Sequence, residues 1–430
     1  MIDLVYRRNE LPRSTRDWLV YSAQWLITMF YAVVWGYAIV GSGLGFRGAQ
    51  LTEYLSAIVL TIGLSTLLQA WLGHRMAMVS GPNVIPSLAI VAAFNAGGLD
   101  YALQSFTAQA IAGLVIAVLI FAGVIRYVKI LWSPLVLGSM IIMVGLSVAG
   151  LGIASMAQNG LGLSFFAALV LAVGGSVLAI RGRGLVATLP PLLVIGLGYV
   201  VFFALGKIDT GLIEQAPWLT TPRIFPYGLS IPPWDLIMVM VIVNLMAALN
   251  FYGNLHGYAG VTDEKIHAKD EQRAFAIFSF IETTLPGILG VPATVAYGEN
   301  LGIVQLTRVA ARLFIIIAAV IFVALAFIGP FGALMAVMPK ELSGAVLLGI
   351  ASTVIGIGAR TLNTAPAFDR REQTLVGFSI FLSLGLYLLP SEAWAQTPGL
   401  IKTVFGNPVI SVIMFVMLFE QVIFRVKQSA

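Results

Sequence analysis

Thr294-Val-Ala-Tyr-Gly-Glu299-Asn-Leu-Gly-Ile-Val-Gln-Leu-Thr307-Arg308 is a largely apolar run with a carboxylate in its middle. A carboxylate at membrane depth costs roughly 2.5–3.5 kcal/mol on insertion scales. A chain keeps such a group where it lines a cavity, meets a partner or moves a proton. Glu299 therefore points to transport, provided that the rest of the chain is a membrane protein.

Composition supplies that condition. The 430 residues are 59% hydrophobic and 10% charged, against roughly 25% charged in a soluble domain. An ordinary soluble fold is excluded, and long apolar runs without alternation exclude a β-barrel. There is no cysteine, so disulfides and thiolate metal sites are impossible. The net charge of +5 comes from basic residues scattered in short loops, which is no nucleic-acid signal. No cleavable signal peptide is expected, because the first residues are too charged and an apolar span follows.

Fourteen apolar segments are predicted, at about 17–44, 50–72, 76–97, 101–124, 128–150, 161–180, 184–206, 231–256, 273–290, 292–308, 312–338, 342–362, 374–390 and 405–424. With the N-terminus in the cytoplasm, alternation leaves only Arg47, Lys207, Arg223, Lys340 and Lys402 outside, out of 24 Lys and Arg. That bias fits the positive-inside rule and predicts two cytoplasmic termini in a cell membrane. The longest outer connection, about 207–230, falls at the midpoint. Seven segments on each side of it make an inverted repeat.

The third and tenth segments share an interruption. Ser80-Gly81-Pro82-Asn83 and Tyr297-Gly298-Glu299-Asn300 both contain Gly-X-Asn, 217 residues apart. Glycine permits a junction between extended chain and helix, Ser80 is a candidate N-cap, and Pro82 suits a first helical turn. Each segment is expected to be half extended and half helical. The two extended halves are expected to pair as short antiparallel strands, because backbone in lipid must find partners within the protein. The alternative is two kinked but ordinary helices.

Other polar residues lie at depth. Asn250 and Asn254 share a face of the eighth segment, either for interhelical hydrogen bonding or for a site. Glu282 in the ninth segment is either a second proton-active group or a carboxyl paired with a neighbouring hydroxyl. His74, His256 and His267 have no metal-ligand spacing, so a histidine zinc site is not expected. No nucleophile–base–metal set is present, and an enzyme is not expected.

The segment Gly298-Glu299-Asn300-Leu-Gly302-Ile-Val-Gln-Leu-Thr307-Arg308 resembles the signature of the nucleobase–ascorbate transporters, also called nucleobase:cation symporter-2: [Gln/Glu/Pro]-Asn-x-Gly-x-x-x-x-Thr, usually followed by Arg, Lys or Gly. The first span, with Gln24-Trp-Leu-Ile-Thr-Met29-Phe30, is similar to the family's first helix. The resemblance implies a core domain from segments 1–4 (residues 1–125) and 8–11 (231–340). A gate domain would come from segments 5–7 (126–230) and 12–14 (341–430). It also implies an elevator movement of core against gate, a homodimer, and cation-coupled symport of a nucleobase such as uracil or xanthine. The coupling ion is expected to be H+, with Na+ as the alternative, and no cofactor is expected.

The resemblance further implies that Glu299 hydrogen-bonds the base. The family's second carboxylate falls at Asn250, an amide that offers donor and acceptor but no proton. Asn254 stands where some proton-coupled relatives have histidine, which leaves Glu299, with Glu282 behind it, for proton coupling. The family's third-segment aromatic is missing, so Asn83 or backbone amides take its place. Gly298, Tyr297, Phe30 and Asn300 complete the expected contacts, with Ser80 and Thr307 behind them. The rival reading is an anion transporter or exchanger on the same architecture, since two helix N-termini suit an anion.

Overall fold

The computed structural model describes residues 3–123, 133–182, 190–298, 300–366 and 368–424. Glu299 and the basic residues Arg126, Lys129, Arg183, Arg425 and Lys427 lie outside the described residues. Among the described residues the regular structure is helical apart from two three-residue strands. In order the elements are α1 (Thr15–Trp35), α2 (Gly48–Trp71), β1 (Ser80–Pro82), α3 (Val84–Phe121), α4 (Pro134–Met156), α5 (Leu163–Arg181), α6 (Pro190–Ala204), α7 (Trp234–Thr262), α8 (Ala268–Ile277), β2 (Thr294–Ala296), α9 (Asn300–Thr307), α10 (Arg312–Leu325), α11 (Gly329–Ala336), α12 (Lys340–Leu362), α13 (Arg370–Tyr387), α14 (Gly399–Phe405) and α15 (Pro408–Met417).

Among the described residues, seven helices are long and apolar enough to cross a membrane unaided, and three more are apolar but shorter. Several predicted segments are interrupted, whereas the thirteenth is one continuous helix, α13. The third and tenth are a strand followed by a helix. The ninth passes from α8 into a π-helical stretch, Phe278–Thr284. The eleventh is split between α10 and α11, with Pro330 in the first turn of α11. The third and fourth segments run together as α3, with a kink at Gly98, whose φ of 80° is a left-handed conformation that glycine adopts without strain.

The expected strand pair is present. β1 and β2 are antiparallel, with Ser80 opposite Ala296, Gly81 opposite Val295 and Pro82 opposite Thr294. The ladder continues at both ends through Asn83 N–H to Ala293 O (2.7 Å) and Tyr297 N–H to Val79 O (3.0 Å). Because the strands are antiparallel, α3 and α9 leave the pair in opposite directions with their N-termini beside it.

Two details of the junction differ from expectation. The cap of α3 is Asn83, whose Oδ1 accepts from Ile85 N–H at 3.0 Å, while Ser80 lies inside the strand. Pro82 is also in the strand, and Pro86 occupies the first helical turn, where a missing N–H costs nothing. Neither Gly81 nor Gly298 has a positive φ. Glycine is needed there for space: a Cβ at Gly81 would meet Tyr297 Oη at 2.6 Å, and one at Gly298 would meet Asn254 Oδ1 at 2.8 Å.

A second structural axis lies in the pair α4 and α12, which pack along most of their lengths. Small residues set the register, with Gly138 against Gly358, Gly145 against Ala351 and Gly152 against Gly344. A Cβ at Gly344 would stand 2.4 Å from Gly152 O, and one at Gly358 2.9 Å from Gly138 O. Backbones this close gain dispersion contact, which drives helix association where lipid removes the hydrophobic term. The sevenfold spacing keeps the glycines on one seam. Gly344→Leu is therefore expected to lower the melting temperature of the purified protein by several degrees, since overpacking costs about 1–3 kcal/mol. The same change at Gly349, where a Cβ meets nothing within 4 Å, should leave it nearly unchanged; fluorescence-detected thermal melting reads both.

Candidate functional site

Extended backbone in a membrane interior needs partners beyond its one neighbouring strand. Polar side chains provide them. Thr66 Oγ1 accepts from Ser80 N–H at 2.9 Å. Gln109 Oε1 accepts from Ala293 N–H (2.9 Å), and its Nε2 donates to Val291 O (3.0 Å). Asn254 Nδ2 donates to Ala296 O at 2.8 Å. Asn300 Nδ2 donates to Tyr297 O (2.7 Å) and Val79 O (3.1 Å), tying both strands to the start of α9. Tyr297 Oη donates to Pro82 O at 2.9 Å.

A narrow cleft of ≈ 100 Å³ opens on one side of this pair, smaller than the roughly 300–1,000 Å³ of sites that enclose drug-sized ligands. Its polar wall holds Asn83, Asn250, Asn254, Tyr297 and Gly298, together with Trp35 at the end of α1. Its apolar wall is Met140, Ile141 and Val144 of α4 with Val354 and Ile357 of α12. The glycine-seamed pair thus forms the far face of the cleft.

The polar wall has unspent hydrogen-bonding capacity. Asn83 uses Oδ1 to cap α3, and its buried Nδ2 has no protein partner among the described residues. The buried indole Nε1 of Trp35 is likewise without one. Among the described residues no protein hydrogen bond engages the Asn250 amide, which is only partly buried. Buried donors left unpaired cost about 1–3 kcal/mol each, so they mark places where a ligand or water completes the bonding. The Trp35 and Tyr297 rings, with centroids 6.4 Å apart, add flat apolar surface.

Five of the sequence-predicted positions therefore line one cleft: Asn83, Asn250, Asn254, Tyr297 and Gly298. Glu299 lies outside the described residues, between Gly298 on the cleft wall and Asn300 at the start of α9. The remaining positions stand elsewhere. Phe30 packs in an aromatic cluster with Phe322 and Phe331, at ring distances of 5.5 and 5.2 Å. Ser80 and Asn300 are buried in the strand junction. Thr307 donates to Ile303 O (2.8 Å) and accepts from Val309 N–H (3.3 Å), closing the end of α9, where Arg308 turns with a φ of 61°. Glu282 is fully buried behind β2, where one carboxylate oxygen accepts from Gln69 Nε2 at 2.8 Å and its backbone carbonyl accepts from Thr294 Oγ1 at 3.5 Å.

His74 sits in the turn after α2, fully enclosed, with Nδ1 accepting from Met76 N–H at 3.0 Å. Burial pushes its pKa down to about 3, so the imidazole is neutral at any physiological pH. Among the described residues no group of three or more His, Cys, Asp or Glu forms a metal site.

Sequence reasoning missed Trp35, Gln109, Gln69 and the entire apolar wall. Trp35 follows an unbroken apolar run and leads into a π-helical turn, Gly36–Gly41, whose geometry nothing in its residue types announces. The wall residues are ordinary aliphatics, and only the packing of α4 on α12 turns them toward the site.

Known proteins resemble this chain along most of its length. A model described as "Permease family" (Xan_ur_permease) matches residues 16–392. A uracil permease of Bacillus caldolyticus is 28% identical over 86% of this chain and 85% of its own length. A putative purine permease of Clostridium perfringens is 25% identical over 94% of this chain and 90% of its own. Among solved structures, the transmembrane domain of the cyanobacterial bicarbonate transporter BicA superposes with a TM-score of 0.61, covering 90% of this chain and 97% of that one. Its identity is 13%, so that likeness carries the fold alone. The signature helix, the strand pair that it follows and the family match agree: the chain belongs to this permease family, the nucleobase–ascorbate transporters, and is a membrane transporter rather than an enzyme.

Proposed function

We propose that this protein carries a nucleobase, uracil or a purine such as xanthine, across the cell membrane by cation-coupled symport. The observation that carries the reading is the polar wall of the cleft: an amide with both donor and acceptor at Asn250, two buried donors without partners among the described residues at Asn83 Nδ2 and Trp35 Nε1, and aromatic surface beside them. A planar ring bearing alternating C=O and N–H groups complements that arrangement, with lactam oxygens for the donors and ring faces for Trp35 and Tyr297. Relatives named as uracil and purine permeases support the substrate class. An anion would find no cationic side chain among the residues that line this cleft.

In this reading the fourteen predicted segments form a seven-plus-seven inverted repeat around the strand pair. The core, residues 1–125 and 231–340, carries the strands and the polar wall. The gate, residues 126–230 and 341–430, presents the apolar wall of α4 and α12 and forms a homodimer. An apolar wall makes no hydrogen bond that must break when the core slides, which suits an elevator movement. Both termini are cytoplasmic, as the distribution of basic residues favours. Glu299, between two residues at the head of α9, is the proton-binding group that contacts substrate. Glu282 is a second carboxyl, buried on the opposite side of β2 from the cleft. The coupling ion is H+, with Na+ as the alternative that the ion dependence of uptake separates.

Proteoliposomes with an imposed pH gradient test the coupling. Glu299→Gln is expected to abolish concentrative uptake of labelled uracil or xanthine while allowing residual equilibration. Full accumulation by Glu299→Gln would remove the proton role. Affinity tests the polar wall. Trp35→Phe keeps an aromatic face and deletes the indole donor, so binding by titration calorimetry should weaken several-fold, in line with about 1 kcal/mol for a neutral hydrogen bond. Asn250→Ala removes both partners and should cost about tenfold or more. Unchanged affinity in both would place the substrate elsewhere.

A further inference from the structure

A second hollow, of ≈ 480 Å³, opens on the protein surface where α2 ends and α10 begins. It has two unlike halves. The floor is apolar, from Leu67 and Trp71 of α2 and Ile316 and Val320 of α10. Trp71 is 56% exposed and Val320 53%, so the floor is continuous with surface that a membrane covers. The lip is cationic, with Arg8 of the N-terminal segment and Arg312 at the start of α10.

The charges on the lip are incompletely met. Arg8 spends Nε on Glu264 Oε2 at 2.7 Å, but its Nη1 is buried without a protein partner among the described residues. Arg312 Nη1 donates to the terminal carbonyls of α2, Ala70 O (3.3 Å) and Trp71 O (3.1 Å), and among the described residues no carboxylate approaches it within 4.0 Å. The acidic residue on the lip, Glu10, is already paired with Arg13 Nη2 at 3.1 Å. Besides Glu264, the acid Asp270 faces Arg75 at 3.9 Å. The lip is thus net positive, with donors to spare, at the level where a helix leaves the apolar layer.

From this juxtaposition of an open apolar floor and a cationic lip we infer a binding site for one anionic phospholipid, its phosphate at Arg8 and Arg312 and an acyl chain along Trp71, Ile316 and Val320. A free phosphate or carboxylate would engage the lip alone and leave the floor unused, so the shape commits the site to a lipid. Tryptophan at the interface and basic residues next to a span are the usual elements of such recognition.

The position gives the lipid leverage on the signature helix. The N-terminal segment runs beside residues 308–312, through Val5 N–H to Arg308 O (2.7 Å), Ala310 N–H to Tyr6 O (2.8 Å) and Arg312 N–H to Arg8 O (3.0 Å). Those residues directly follow α9. A phosphate bridging Arg8 and Arg312 ties the same two segments together a second time and restrains the end of α9.

Native mass spectrometry of the full-length protein, released from nanodiscs of mixed phosphatidylcholine and phosphatidylglycerol, tests the inference. One phosphatidylglycerol should be retained in preference to phosphatidylcholine. Arg312→Gln should reduce that preference about fivefold, the effect of one basic residue near an anionic lipid. Lys269→Gln, an exposed residue outside the hollow, should not. Trp71→Ala, which keeps the charges and removes floor, should also weaken retention, and it carries the test if Arg312→Gln does not fold. Millimolar inorganic phosphate should leave the lipid in place. Equal retention of the two lipids, retention unaffected by both Arg312→Gln and Trp71→Ala, or displacement by phosphate would each overturn the assignment.

Discussion

The fold depends on one constraint: extended backbone placed inside an apolar layer must have every N–H and C=O satisfied by protein. Two three-residue strands meet that demand for each other, and side chains from four other elements complete it. Thr66 of α2, Gln109 of α3, Asn254 of α7 and Asn300 of α9 all spend hydrogen bonds on strand backbone or its immediate continuation. Each is a polar group that would be costly at depth if unpaired. Together they hold two helix N-termini beside a cleft, which an unbroken helix could not do.

The glycines on either side of the junction serve the same constraint. Gly81 leaves room for the Tyr297 hydroxyl, which bonds to Pro82 O, and Gly298 leaves room for Asn254, which bonds to Ala296 O. A methyl group at either position would push away a side chain that satisfies strand backbone. The far side of the cleft is built on a different principle. Small residues bring α4 and α12 into near backbone contact, and the aliphatics beside that seam present a smooth wall without hydrogen bonds. Polar detail is confined to one side of the cleft, and this asymmetry is what the proposed sliding of core against gate requires.

Much of this was legible in the sequence, for definable reasons. The Gly-X-Asn pair, the prolines near it and the rule that buried backbone must pair led directly to two antiparallel strands. Asn250 and Asn254 stood out as polar residues at depth, and the resemblance to the nucleobase–ascorbate transporters pointed to Asn83, Tyr297 and Gly298 beside them. The exact cap was not legible: Asn83 and Ser80 both suit an N-cap, and only the strand register decides for Asn83. Phe30 looked like a ring contact, yet an aromatic on a packed helix cannot be told from a ligand contact until its neighbours, Phe322 and Phe331, are seen. Trp35 and the α4–α12 wall belong to surfaces that tertiary packing creates, with no local pattern to reveal them.

The central claim is that substrate occupies the cleft between the strand pair and the α4–α12 wall. The absence of cysteine from the chain makes its most direct test clean. Single cysteines in Val144→Cys and Ile357→Cys variants, on the apolar wall, can be labelled with a maleimide in the presence of uracil, xanthine or uric acid. The account predicts that the transported base slows labelling at both positions and leaves labelling of Trp71→Cys unchanged. Equal labelling rates with and without the transported base at Val144→Cys and Ile357→Cys would contradict it.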